Sequence, residues 1–147
     1  MTNEVLIRPA SATDFDTAVA LLARANLPVA DLSAASLDRF LVAAVEQSVA
    51  GLIGLERYES IGLLRSLVVD SEFRGRGLGR LLVKELEAQA NDQGIRQVWL
   101  LTIDADAWFQ HLGYEVRPRD QAPVVIAQTA EFVSLCPGDA VLMQKTL

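Results

Sequence analysis

The chain has a single cysteine, Cys136, and a single histidine, His111. One cysteine excludes an internal disulfide and fits a reducing compartment, and one histidine leaves no second imidazole for a metal site. Basic residues are in the minority, 13 Lys and Arg against 19 Asp and Glu, which gives a formal charge of −6. Phosphate polymers and anionic bilayers select basic faces, so general nucleic-acid or membrane-surface binding is not expected. Long apolar runs are missing too: no window reaches the length of a membrane span, and the start MTNEVLIRP lacks a basic segment followed by an apolar stretch. These absences lead us to expect a soluble cytoplasmic protein; separately, a monomer or a homodimer is expected. What is present is apolar substance, 51% of 147 residues, enough for one domain over residues 1–147 with a substantial core.

One stretch organises the rest, residues 63–90, LLRSLVVDSEFRGRGLGRLLVKELEAQA. Residues 63–69 read as a buried strand, apolar and β-branched towards its end, and Asp70, Ser71 and Glu72 close it. Arg74-Gly75-Arg76-Gly77-Leu78-Gly79 follows as a turn. Glycines alternating with bulkier residues let a backbone approach a ligand closely, and the free N–H groups at the next helix start form an anion site reinforced by the helix dipole. From Leu78 the apolar positions Leu81, Leu82, Leu86 and Ala90 recur at helical spacing, with Arg80, Lys84 and Glu87 on other faces. A glycine-rich turn can also be a plain strand-to-helix connection. Rival nucleotide motifs fit badly: the dinucleotide fingerprint wants Gly-x-Gly-x-x-Gly, but the glycines stand at 75, 77 and 79, and no Walker lysine follows.

Around this unit the pattern predicts a mixed sheet with flanking helices. A strand at residues 5–8 stops at Pro9, and Thr13 with Asp16 resembles a capping box for a helix over 14–25, buried through Phe15, Ala18, Val19 and Leu22. A short helix over 33–39 precedes a strand over 40–46. Turns at Gln47-Ser48 and Glu59-Ser60 make an antiparallel three-strand meander. Gln93-Gly94 caps the central helix, and residues 97–102 form a strand parallel to the central one, because a helix crosses between them. A short helix over 104–111, a strand after Gly113, a helix over 124–135 and a final strand over 140–145 complete the chain.

The turn Arg74 to Gly79 matches the acyl-CoA signature Arg/Gln-x-x-Gly-x-Gly/Ala of the GCN5-related N-acetyltransferases (GNAT), and Ser66-Leu67-Val68-Val69 before it is similar to that superfamily as well. The resemblance implies an α+β fold, a mostly antiparallel mixed sheet flanked by helices in three layers. It also implies acetyl-CoA as cosubstrate and no metal. Carried over by residue, the backbone of Leu67, Val68 and Val69 would pair with the pantetheine arm, with the Val68 amide polarising the thioester carbonyl. Amides of Arg74, Gly75, Arg76, Gly77, Leu78 and Gly79 would bind the pyrophosphate, and the Arg74, Arg76 and Arg80 side chains would add positive charge. A second patch, residues 107–114, is similar to the superfamily's Ala-x-x-Phe-Tyr-x-x-x-Gly-Phe region. Aligned on Gly113, Phe109 stands where many relatives carry the tyrosine thought to protonate the departing thiolate, and phenylalanine has no proton to give. Tyr114, His111 and Cys136 are candidate substitutes; the plainer readings are a helix-end surface residue for His111 and a small buried hydrophobe for Cys136.

The remaining chemistry is attack by a neutral amine, and a carboxylate or a water chain must take its proton. Glu56 and Glu59 are candidates, against plain salt-bridge roles. Arg65, within an apolar strand, either pairs with Glu56 across the hairpin or holds a substrate carboxylate. The segments at residues 27–32, 63–67, 122–132 and 134–140 together look like an arsenic-resistance-associated N-acetyltransferase-like subgroup. In that likeness Arg117, Arg119, Thr129 and Glu131 would line the acceptor pocket. The expected function is acetyl transfer from acetyl-CoA to the amino group of a small, amino-acid-like molecule. A protein-amine acetyltransferase and a non-catalytic acyl-CoA-binding regulator are the alternatives.

Overall fold

A computed structural model describes residues 4–135 and 140–147, so Cys136 lies outside the described residues. The chain opens with strand β1 (Val5–Pro9), a 3-10 turn (Ala12–Asp14) and helix α1 (Phe15–Arg24). The capping box is Ser11 with Asp14, two residues earlier than expected: the Ser11 amide donates to Asp14 Oδ2 at 2.8 Å. Arg8 decides this, since its guanidinium donates to both Asp14 oxygens at 2.8 and 3.0 Å and fixes that carboxylate at the helix start. Helix α1 buries Ala18, Leu21 and Leu22, while Phe15 and Val19 are half-buried, so its inward stripe lies nearer the helix end than the spacing suggested.

A 3-10 turn (Ala34–Arg39) leads into β2 (Phe40–Val45) and β3 (Ser48–Tyr58), which pair antiparallel. Their hairpin turns at Glu46 and Gln47, φ 51° and 70°, one residue before the expected Gln47-Ser48. Two left-handed residues match the twist of the flanking strands, and here the turn forms without glycine. Strand β4 (Ile61–Val69), a 3-10 turn (Ser71–Phe73) and helix α2 (Leu78–Asp92) follow. Then come β5 (Gln97–Thr102), α3 (Asp106–Gln110), β6 (Glu115–Arg117), a 3-10 turn (Arg119–Gln121), α4 (Val124–Ala127), a π turn (Glu131–Leu135) and β7 (Val141–Thr146).

The expected helix over 124–135 is therefore broken. Thr129 causes the break: its hydroxyl donates to the Ile126 carbonyl at 2.7 Å and accepts from the Phe132 amide at 3.3 Å, which ends one turn and starts the next. The sheet order is β1-β2-β3-β4-β5-β7-β6. Strands β4 and β5 are parallel, whereas β1/β2, β2/β3, β5/β7 and β6/β7 are antiparallel, which gives the mixed, mostly antiparallel α+β sheet expected.

The chain divides into two compact units. The first holds the described residues through Leu55 together with Ser66–Gln89. In it α1 packs through Leu21 and Leu22 on Phe40, Val42, Leu52 and Val68, and Leu78 of α2 packs with Val45 and Ala50. The second holds Glu56–Arg65 and the described residues from Ala90 to Leu147, with Leu63, Trp99, Ile126 and Leu142 as its apolar cluster. Among the described residues no helix is long and apolar enough to cross a membrane, and no cluster of His, Cys, Asp and Glu is arranged to hold a metal ion.

Candidate functional site

The first unit contains the glycine turn. Strand β4 carries one irregularity, the buried Ser66 at φ 61°, in the left-handed region that a non-glycine residue enters only at a cost of about 1–2 kcal/mol. At the strand's end the Asp70 amide donates to the Ala50 carbonyl at 2.8 Å, and Asp70 Oδ1 caps the following 3-10 turn by accepting from the Glu72 amide at 3.1 Å. Gly75 and Gly77 then adopt φ 81° and 74°. A Cβ built at either position meets no heavy atom within 4 Å, so backbone conformation, not crowding, asks for glycine, and the space beside each is open. Leu78, buried, anchors the start of α2.

The first amides of that helix lack intrahelical acceptors by geometry, and its first turn carries no acidic side chain. Arg74, Arg76 and Arg80 are exposed around it, with the Arg76 guanidinium 5.2 Å above the Phe73 ring. Arg74 also lines a cleft of about 140 Å³ with Leu21, Arg24, Ala25 and residues 68–71. Across that cleft Arg24 stands 3.9 Å from Asp70. The result is an open, cationic, amide-lined turn beside the end of β4, suited to a phosphorylated ligand.

The second unit contains the titratable groups. Arg65 is buried, with 2% of its side chain exposed, and its guanidinium forks between two carboxylates. Nη1 donates to Glu56 Oε2 at 2.9 Å, and Nη2 stands 3.3 Å from Glu131 Oε1. The Tyr58 hydroxyl donates a short hydrogen bond to the other Glu56 oxygen. Glu56 and Arg65 thus meet as the sequence suggested, but Tyr58 and the attachment of Glu131 to Arg65 were missed. The only signal was the arginine itself in an apolar strand, where a buried cation requires counter-charges that spacing alone cannot name.

Other sequence candidates are used locally. Arg119 donates to the carbonyls of Ala140 at 3.1 Å and Phe132 at 3.4 Å, and its guanidinium lies 4.4 Å over the Phe132 ring. Thr129 holds the break between α4 and the π turn. Arg117 pairs with Glu115 at 2.8 Å. Phe109 is buried between Trp108 and Tyr114, in edge-to-face contacts at 4.9 and 5.5 Å. His111 is exposed at the helix end with Nδ1 2.7 Å from the Ala107 carbonyl, its plainer reading, and Tyr114 is buried.

Comparison with known proteins places this geometry in a family. The family model of the acetyltransferase (GNAT) domain matches residues 36–116. An uncharacterized N-acetyltransferase of Chlorobaculum tepidum is 33% identical over 113 residues, covering 74% of this chain and 70% of that protein. An amino-acid acetyltransferase of Serratia proteamaculans is 32% identical over 66 residues, 45% of this chain and 15% of that protein. Among solved structures, N-acetylglutamate synthase from Neisseria gonorrhoeae, complexed with coenzyme A and N-acetyl-glutamate, superposes with a TM-score of 0.88 at 17% identity. That match covers 100% of this chain and 36% of the synthase. A Mycobacterium tuberculosis protein in complex with CoA and NLQ gives a TM-score of 0.81 at 19% identity, covering 97% of this chain and 99% of that one. At such identities the structural likeness is one of fold. This chain belongs to the GNAT family, the acetyl-CoA-dependent N-acetyltransferases.

Proposed function

We propose that this protein transfers the acetyl group of acetyl-CoA to the amino group of a small, amino-acid-like molecule by direct attack. The observation that carries the donor half is the open turn at Gly75 and Gly77, where left-handed backbone and the start of α2 present amides beside three exposed arginines. The acceptor half is supported by the relatives, an amino-acid acetyltransferase and an N-acetylglutamate synthase, and by Arg65 as a buried guanidinium able to receive a carboxylate.

When bound, acetyl-CoA supplies an acetyl group activated as a thioester. The amides of residues 74–79, with the side chains of Arg74, Arg76 and Arg80, hold its phosphates. The backbone of Leu67, Val68 and Val69 aligns the pantetheine arm, and the Val68 amide donates to the carbonyl oxygen, where negative charge develops. Glu56, oriented through one oxygen by Arg65 and through the other by Tyr58, receives the amine's proton. Arg65, Arg119 and Thr129 shape the acceptor end. Phe109 has no proton to offer, so the thiolate leaves unprotonated, which a thiol pKa of about 8.5 permits at the loss of an acid contribution of about 10²–10⁴-fold.

The test is thermal-shift binding of acetyl-CoA followed by CoA release against a panel of amino acids, simple amines and lysine peptides. Acetyl-CoA-dependent release with amino acids is expected. Release with peptides alone moves the acceptor to a protein amine. Phe109 favours one rival: binding of acetyl-CoA without release from any amine makes the chain an acyl-CoA-binding regulator.

A further inference from the structure

Resting on the amino-acid acceptor reading, we propose that Glu131 is a specificity-determining residue, an internal carboxylate that occupies Arg65 until an acceptor's own carboxylate displaces it. The two arms of the Arg65 fork are not equivalent. Glu56 is held at 2.9 Å and is fixed through its second oxygen by Tyr58. Glu131 stands further off, at 3.3 Å, on a π turn, a rare helical form that recurs at functional sites. That turn is tethered at its start by the Thr129 hydroxyl and by Arg119 on the Phe132 carbonyl.

Both partners are buried, with 2% of the Arg65 side chain and 5% of the Glu131 side chain exposed. Glu56 alone balances the buried guanidinium, which makes Glu131 the surplus carboxylate; the Nη2 arm it would vacate still needs an acceptor in a buried site, and an anionic acceptor pairs best with a guanidinium. A ligand carboxylate meets that condition, because it offers the planar pair of oxygens that a guanidinium fork accepts and conserves the charge around Arg65. An amine or amide without a carboxylate does not, and leaves Glu131 in place. Acidic acceptors thus gain a buried partner that neutral ones cannot reach, and their apparent affinity is set by competition with Glu131.

Glu131→Gln keeps the shape, leaves the Arg65–Glu56 pair one to one and removes the competing charge. CoA release is measured at saturating acetyl-CoA for wild type and variant, with L-amino acids and the matching L-amino acid amides as probes. For the acids, KM is expected to fall about tenfold with kcat little changed, and for the amides KM should move less than about twofold. An unchanged or raised KM for the acids, or an equal shift for acids and amides, overturns the proposal while leaving the acceptor reading intact. Wild-type turnover of no amino acid overturns the acceptor reading and this inference with it. Should Glu131→Gln fail to fold, Glu131→Asp, which keeps the charge and withdraws it by one methylene, is expected to lower KM for acids alone; a KM equal to wild type for both probe classes overturns the proposal.

Discussion

Substituting Gly77 separates backbone conformation from ligand charge. Its φ is 74°, and a Cβ there meets nothing within 4 Å, so the first side-chain carbon of either alanine or glutamate enters open space. Both should lose about 1–2 kcal/mol for the left-handed backbone alone, which lowers Tm by about 2–8 °C in a domain of this size. Their effects on acetyl-CoA binding diverge. At about one hundred times its dissociation constant the ligand stabilises wild type by about 2.7 kcal/mol, a rise of about 5–10 °C. A glutamate beside a bound phosphate faces a repulsion of about 4 kcal/mol at 4 Å in a surface-like dielectric, and solvent screening reduces this to a hundredfold loss of affinity, about 2.7 kcal/mol. At the same ligand concentration the glutamate variant then retains only about 0.4 kcal/mol of stabilisation, a shift of about 1 °C. Gly77→Ala should keep most of the wild-type shift. The assay is a thermal melt of the three proteins with and without acetyl-CoA, repeated at low and high salt. A Gly77→Glu protein that keeps the full shift would refute the phosphate assignment, and equal loss in both variants would mean that backbone geometry, not charge, governs binding.

The Asp14 carboxyl is held down to about 2 from an ordinary 3.8 by hydrogen bonds from Arg8. Because the folded value is depressed, this stabilisation is complete above the ordinary carboxylate range and lost as pH falls through about 4 towards 2; Asp14→Asn should cost about 1–2 kcal/mol in urea unfolding at pH 7, with the gap to wild type closing near pH 2. A Cβ on Gly54 would lie 2.5 to 2.8 Å from the buried Phe40 ring, so Gly54→Ala should lower stability by about 1–3 kcal/mol, and Phe40→Leu in the same chain should restore part of it, both measured by denaturant unfolding. Phe109→Tyr is expected to raise kcat in single-turnover CoA release; an unchanged kcat with a Tm lowered by an unsatisfied hydroxyl, about 1–3 kcal/mol, would make the position one of packing alone.

The parts of this molecule that were legible in the sequence are those where one residue type answers one local need. Gly75 and Gly77 could be read because positive φ asks for glycine, and the central strand and helix because their apolar spacing repeats. Illegible features were set by a partner distant in sequence or by an unusual residue in a standard role. The Ser11 cap displaced the Thr13 candidate because Arg8, on the preceding strand, takes hold of Asp14. The hairpin at Glu46 and Gln47 was found from the break between two strand patterns, but with neither asparagine nor glycine to mark the left-handed positions its place fell one residue off. Thr129 reads as an ordinary helical position until its hydroxyl is seen bridging Ile126 and Phe132. At the candidate site Glu56 and Arg65 were within reach of hairpin logic, whereas Glu131 joins them from a segment 66 positions beyond Arg65, a closure that periodicity does not encode.

Strand β4 ties these observations together. Its parallel ladder with β5 covers only Ile61–Leu63 against Gln97–Trp99, yet β4 runs on to Val69. Ser66, left-handed and buried, stands within the strand between the portion laddered to β5 and the portion leading to the glycine turn. A residue so placed bends a strand and disrupts its pairing locally, and such irregularities concentrate beside functional sites. Serine fits where valine would not: a short polar side chain tolerates the left-handed region, and a β-branched one suffers in it. The strain makes sense if backbone groups of Leu67, Val68 and Val69 are needed for an extended ligand instead of a neighbouring strand. On the proposed function, Arg65, immediately before the irregularity, would anchor carboxylates, and residues 67–69, immediately after it, would meet the donor. In sequence, the two halves of that proposal are then separated by the left-handed Ser66 alone.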